Sequence, residues 1–243
     1  MAAIRKIQAR VKEIISYSDT VRKYILQPAK RSFDFKAGQF LHLAMDAYDP
    51  SFNWPESRVF SIANSPTRKD FIEVLVSRKG KFTGQMFEQL KAGDEVWLKL
   101  PYGIFNFDES LEKDSVLIAG GTGISPFMSF LQFAIDKKLN PVISLNYGVN
   151  NPDLIIIEDL IKEAEQKLEN FKYNLYIEKP ENGHTKLKFN TGILDIHQII
   201  KQSRELNDAV FYLSGPPAMI ENFEQTLKNS GVKPQNIKYD IWE

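Results

Sequence analysis

Val116-Leu117-Ile118-Ala119-Gly120-Gly121-Thr122-Gly123-Ile124-Ser125-Pro126-Phe127 runs from a short apolar strand through three glycines into a helix. Glycine lets the backbone take positive φ and lets a phosphate come close to the amides. The helix start adds N–H groups with no intrahelical acceptor and the positive end of the helix dipole. Such a turn is a place to hold a pyrophosphate. Tight packing of strand on helix would favour the same glycines, and the spacing departs from G-x-G-x-x-G. A second turn of the same kind, Phe211-Tyr212-Leu213-Ser214-Gly215-Pro216-Pro217-Ala218-Met219, again passes from strand to helix. In a doubly wound sheet two such turns can face each other across the crevice where dinucleotides bind.

Around these turns, strand and helix patterns alternate. Strands are expected at Ser115–Ala119, Pro141–Tyr147, Phe171–Glu178, Ala209–Ser214 and Ile237–Ile241, with helices at Ile124–Asp136, Asp153–Leu168, Gly192–Lys201 and Pro217–Asn229. Alternation of this kind predicts a parallel sheet covered on both faces. The first hundred residues have the other rhythm. Ile4–Tyr17, Val21–Gln27, Gln39–Met45, Arg58–Ala63, Phe71–Ser77 and Glu95–Leu100 read as short strands, interrupted by one helix at Thr83–Leu90. That spacing predicts an antiparallel β-barrel. The join falls in the charged stretch Asp108–Asp114, which divides the chain into a barrel domain, residues 1–108, and an α/β doubly wound domain, residues 115–243.

Composition narrows the classes. Lys plus Arg and Asp plus Glu are both 31, so no bulk charge calls for nucleic acid or an anionic membrane. With no cysteine, these 243 residues hold no disulfide and no thiolate-ligated zinc or iron–sulfur cluster. The three histidines, His42, His184 and His197, lack ligand spacing, and no metal site is expected. No apolar run approaches a membrane span and the N-terminus has no apolar leader segment, so a cytoplasmic protein is expected.

In the barrel half, Arg58-Val59-Phe60-Ser61 ends a strand. An Arg fork suits a phosphate, and Phe60, two residues on, shares its face. Gly80-Lys81-Phe82-Thr83 then opens a helix, with Thr83 the expected N-cap. Each piece alone reads equally well as a surface arginine or a plain cap. Together, Arg58-x-Phe60-Ser61, Gly80-Lys-Phe-Thr83, Gly120-Gly-Thr-Gly-Ile-Ser-Pro126 and Gly215-Pro-Pro-x-Met219 resemble the ferredoxin-NADP reductase superfamily, in order and over nearly the whole chain.

The resemblance implies an FAD-binding barrel before a nicotinamide-binding domain, with a hydride passing from NAD(P)H to FAD. It places Arg58, Lys81, Phe82 and Thr83 at the FAD phosphates. Phe60, Ile62 and Val76 fall beside the flavin, and Ser61 near flavin N5 as the residue closest to the chemistry. It sets Gly121, Thr122, Gly123 and Ile124 at the nicotinamide cofactor's pyrophosphate, and Ser214, Gly215, Pro216 and Met219 beside the nicotinamide. Asn150 falls near a ribose, and Trp242 either stacks on FAD or simply anchors the chain end. Three departures stand out: Phe60 where the family usually has Tyr, Ser214 where many members have Cys, and no Arg in Tyr147-Gly148-Val149-Asn150.

Two activities remain open. One is a reductase with bound FAD that serves a separate acceptor of the ferredoxin or flavodoxin type. The other is a flavin reductase using free flavin as substrate, which Phe60 suits. Gly80–Thr83 favours bound FAD, because a flavin substrate needs no phosphate site. The loops Val149–Asp153 and Glu178–Glu181 hold acids and a single Lys179, which argues for NADH over NADPH.

Overall fold

The computed structural model describes residues 3–30, 33–203 and 206–240. It divides into two units, Met1–Phe107 with Met128–Phe133, and Asp108–Phe127 with Ala134–Glu243.

The first unit is a six-stranded antiparallel sheet. Its strands are β1 (Arg5–Ser16), β2 (Val21–Pro28), β3 (Phe40–Ala44), β4 (Ser57–Ser61), β5 (Ile72–Ser77) and β6 (Glu95–Tyr102), in the order β4-β3-β6-β1-β2-β5. Alternation decides which side becomes core. Ile7, Ala9 and Val11 of β1, Leu41 and Leu43 of β3, and Val96, Leu98 and Leu100 of β6 all turn inward. Helix α1 (Lys81–Gln89) buries Phe82, Met86 and Phe87 against them. The Tyr24 hydroxyl, inside this core, donates to the Met86 carbonyl at 3.1 Å, which removes the cost of burying it. Gly38 is required: at φ +95° a Cβ would lie 2.1 Å from the Phe105 carbonyl oxygen.

The second unit is a six-stranded parallel sheet. Strands β7 (Asp114–Gly120), β8 (Ile143–Val149), β9 (Phe171–Ile177), β10 (Asn190–Thr191), β11 (Ala209–Ser214) and β12 (Ile237–Asp240) run in the order β10-β9-β8-β7-β11-β12. Helices α2 (Ser125–Asp136), α3 (Glu158–Lys167), α4 (Ile196–Gln202) and α5 (Pro217–Asn229) complete it. From β7 the chain winds outward through β8, β9 and β10, then returns to the other side of β7 as β11. The switch point therefore lies between β7 and β11, where open α/β sheets bind ligands.

Three local expectations differ. The helix expected at Gly192–Lys201 begins only at Ile196, because the Asp195 carboxylate accepts from the His197 N–H at 2.9 Å and caps it. Just before it, Asn190–Thr191 joins the sheet edge beside β9. The helix expected over Asp153–Leu168 is a 3-10 turn, Pro152–Leu154, followed by α3, with Ile155, Ile156 and Ile157 buried between them. Among the described residues no helix is long and apolar enough to cross a membrane.

Candidate cofactor sites

Strand β4 and helix α1 build the first site. Arg58 Nη1 donates to the Ser57 carbonyl at 2.8 Å and Nη2 to Glu56 Oε1 at 3.1 Å. The guanidinium lies 5.2 Å from the centre of the Phe82 ring, in the first turn of α1. The sheet fold thus brings Arg58 to a helix start 23 residues further along the chain than Arg58 itself, Lys81. The first N–H groups of a helix have no intrahelical acceptor. Cβ atoms added at Gly80 or Gly84 would meet nothing within 4 Å, so the space there is open. A cation, a helix start and room beside both fit a pyrophosphate.

Thr83 is not the N-cap. The cap is Gly80, and Thr83 lies three residues in. Its Oγ1 accepts from the N–H groups of Lys79 at 3.0 Å and Gly80 at 3.1 Å. Gly80 has no side chain to cap the helix, so the hydroxyl reaches back and closes the turn from within. Lys81 is exposed at the first helical position.

Below Arg58 the lining is core. Phe60 and Phe82 are almost wholly buried, and Ile62 and Val76 are 0% exposed. Ile62 and Val76 are therefore the floor of the barrel and offer no side-chain surface of their own. Ser61 lies on the other face of β4, opposite Phe40 in the register, and is buried. The turn after β4 is anchored by Asn64, whose amide donates to the Arg68 and Phe71 carbonyls at 3.0 Å and accepts from the Glu73 N–H at 2.8 Å.

In the second unit the two glycine turns meet at the switch point. Ala119 of β7 pairs with Ser214 of β11. A Cβ at Gly123 would lie 2.4 Å from the Ser214 carbonyl oxygen, and one at Gly215 would lie 3.0 Å from the Gly120 N. A Cβ at Gly120 would meet Pro216 at 2.8 Å and Met219 at 3.0 Å. The backbones of the two turns thus approach each other closely, with the Pro216 and Met219 side chains packed against Gly120. Gly121, at φ +55°, has open space beside it. Thr122 sits in the 3-10 turn Gly121–Ile124, where its carbonyl accepts from Ser125 Oγ at 2.8 Å, while Ile124 is buried beneath. The structure brings Gly121, Thr122, Gly123, Ser214, Gly215, Pro216 and Met219 together. This cradle of backbone at a helix start fits a nucleotide pyrophosphate.

Asn150 lies apart from that cradle, at the end of β8. Its amide donates to Glu178 Oε2 at 3.2 Å and its carbonyl accepts from the Lys179 N–H at 2.7 Å, which ties the loops after β8 and β9 together. Trp242 lies outside the described residues. One polar residue escaped the sequence reading: Asp240, buried at the end of β12, accepts from Ser214 Oγ at 3.4 Å. Its only signal was an acid in the last strand, Ile237-Lys238-Tyr239-Asp240. Nearby, burial pushes the Tyr212 hydroxyl well above its ordinary range, and Asp108 adds to the shift. Burial also lowers Lys238, whose ammonium lies 5.0 Å from the Tyr212 ring centre, although Asp108 opposes that shift.

Comparison with known proteins identifies the domain type of each half of the chain. An oxidoreductase FAD-binding domain matches residues 7–107 and an oxidoreductase NAD-binding domain matches residues 117–225. The two matched domains define an FAD-binding and NAD-binding oxidoreductase module. The chain belongs to the ferredoxin reductase-like flavoprotein family. It is 27% identical over 244 residues to a flavohemoprotein of Rhizobium meliloti, covering 96% of this chain and 59% of that protein. It is 30% identical over 229 residues to the reductase component of a Pseudomonas phenol 2-monooxygenase, covering 93% of this chain and 63% of that one. The chain thus spans less than two thirds of either relative. Among solved structures, an Amycolatopsis cytochrome P450 reductase shares the fold at TM-score 0.83 and 23% identity, over 98% of this chain and 70% of that one. A Neisseria gonorrhoeae ferredoxin NADP+ reductase with FAD and NADP bound does so at TM-score 0.76 and 18% identity, over 99% of both chains.

Proposed function

We propose that this protein takes electrons from NADH and delivers them to a separate redox protein of the ferredoxin or flavodoxin type, in the cytoplasm. The observation that carries the reading is Arg58 at the open start of α1, a phosphate cradle that a freely exchanging flavin substrate does not need. FAD supplies the chemistry when bound, accepting a hydride and releasing electrons singly. The protein's part is to bind and orient. Arg58 and the first turn of α1 hold the FAD phosphates, with Lys81 and Thr83 beside them, and Phe60 and Phe82 shape the apolar wall over the Ile62 and Val76 floor. Ser61 is the hydroxyl nearest the reacting ring. Gly121–Ile124 receive the nicotinamide cofactor's pyrophosphate, and Ser214–Met219 border its nicotinamide.

NADH is favoured because Glu178, hydrogen-bonded to Asn150, adds a carboxylate to the loops after β8 and β9, and a like charge there would oppose a 2′-phosphate. The relatives named as oxygenase reductase components support a protein acceptor. The test is purification followed by anaerobic mixing with each nicotinamide. A yellow protein whose bound flavin bleaches with NADH and then reduces an added ferredoxin or flavodoxin is expected. A colourless protein that reduces excess free flavin would instead establish the flavin reductase reading, which the missing hydroxyl at Phe60 favours.

A further inference from the structure

Arg58 and Phe60 share one face of β4, and Glu56, in the bend just before the strand, brings its carboxylate to the Arg58 guanidinium. The segment that sets Glu56 is fastened: the Trp54 indole N–H donates to Ser57 Oγ at 3.0 Å, bracketing Pro55 and Glu56. Glu56 Oε1 accepts from Arg58 Nη2 at 3.1 Å, and both side chains are about half exposed, at 58% and 50%. The carboxylate thus occupies one arm of the fork assigned above to an FAD phosphate, and the Ser57 carbonyl occupies the other. A phosphate bound at Arg58 would share the guanidinium with this carboxylate or displace it, and in either case would sit beside a like charge.

We propose that Glu56 is an internal competitor for the FAD site that weakens FAD affinity. The inference rests on the assignment of Arg58 to an FAD phosphate. The carboxylate acts in two ways. It holds the guanidinium before FAD arrives, and it repels the phosphate afterwards. Both effects are those of exposed charges, so they are modest and screened by salt. Glu56 touches no reacting atom; it sets affinity through Arg58.

The test is FAD titration of the full-length chain after its flavin has been removed, followed by protein and flavin fluorescence at low and high ionic strength. Release of FAD from diluted holoprotein gives the off-rate. Glu56→Gln keeps the shape and removes the charge. It is expected to tighten FAD about three- to fivefold at low salt, the scale of an exposed ion pair, with slower release. The gain should shrink at high salt. Arg58→Ala should weaken FAD and, in the double variant, abolish the gain from Glu56→Gln. Unchanged or weaker FAD binding by Glu56→Gln overturns the proposal, as does a gain that survives in the Arg58→Ala background. If Arg58→Ala binds FAD as the wild type does, this inference fails while the bound-FAD reading stands. If the wild type itself binds no FAD, that reading fails as well.

Discussion

Single residues at the nucleotide cradle differ sharply in what they tolerate. A methyl group at Gly123 would fall 2.4 Å from the Ser214 carbonyl oxygen and 2.6 Å from the Gly215 N, both backbone atoms that cannot swing aside. Gly123→Ala is therefore expected to cost about 1–3 kcal/mol by overpacking and to raise the KM for NADH. Gly121→Ala meets no atom, and its cost is the left-handed backbone alone, about 1–2 kcal/mol. Calorimetric melting of both variants, with KM measured on each, checks the contrast. His42 offers a test by pH. It stands on the outer face of β3, its ring 4.8 Å from that of Tyr102 in an edge contact. Burial, aided by the Lys99 charge, holds it below its ordinary value of 6.5. The unfolded chain therefore binds a proton that the folded barrel resists, and stability falls as pH drops below that ordinary value. His42→Gln should reduce this loss, read as the shift in urea midpoint between about pH 7.5 and pH 5.5.

At the scale of the element, α1 is the part to which the proposed function assigns the FAD phosphates. The helix starts at a glycine, which supplies no capping side chain, and Thr83 compensates by accepting from Lys79 and Gly80. Thr83→Val keeps the shape and removes the acceptor, at a cost of about 1 kcal/mol, as for a lost cap. FAD affinity should fall with it, because the same turn presents its N–H groups to the phosphate. Thr83→Ser should retain both stability and affinity. Thermal melting and flavin titration on the two variants separate the hydroxyl's role from that of side-chain volume. The sequence pattern Gly80-Lys81-Phe82-Thr83 marked the place correctly, but the cap was assigned one turn late. A Thr before an apolar run resembles an N-cap whether its oxygen reaches forward or back.

At the scale of the whole molecule, the proposed preference for NADH rests on loops from two strands. Asn150 and Glu178 leave the ends of β8 and β9, adjacent in the sheet, and meet at 3.2 Å. Steady-state kinetics should give a kcat/KM for NADH at least about tenfold above that for NADPH, a difference of about 1.4 kcal/mol. Glu178→Gln should narrow the gap by improving NADPH alone. A preference for NADPH in the wild type would overturn the assignment and point to Lys179.

Much of this was legible along the chain. Period and punctuation are local properties: alternation over Gln39–Met45, the apolar strand before Gly120, and the Gly215-Pro216-Pro217 turn each depend on neighbours in sequence. They determined an antiparallel first half, a parallel second half and the two glycine turns. What only the tertiary structure decided involves partners distant in sequence. Arg58 meets Phe82 because the sheet order brings β4 to α1. Ser214 meets Asp240 because β12 adds beside β11. Gly123 resists a side chain because the second turn packs onto it. Glu56 was near in sequence yet still invisible as a competitor, since its meaning depends on where the Arg58 fork points. Strand order and packing set these meetings, and a local pattern carries no record of which strand will become its neighbour.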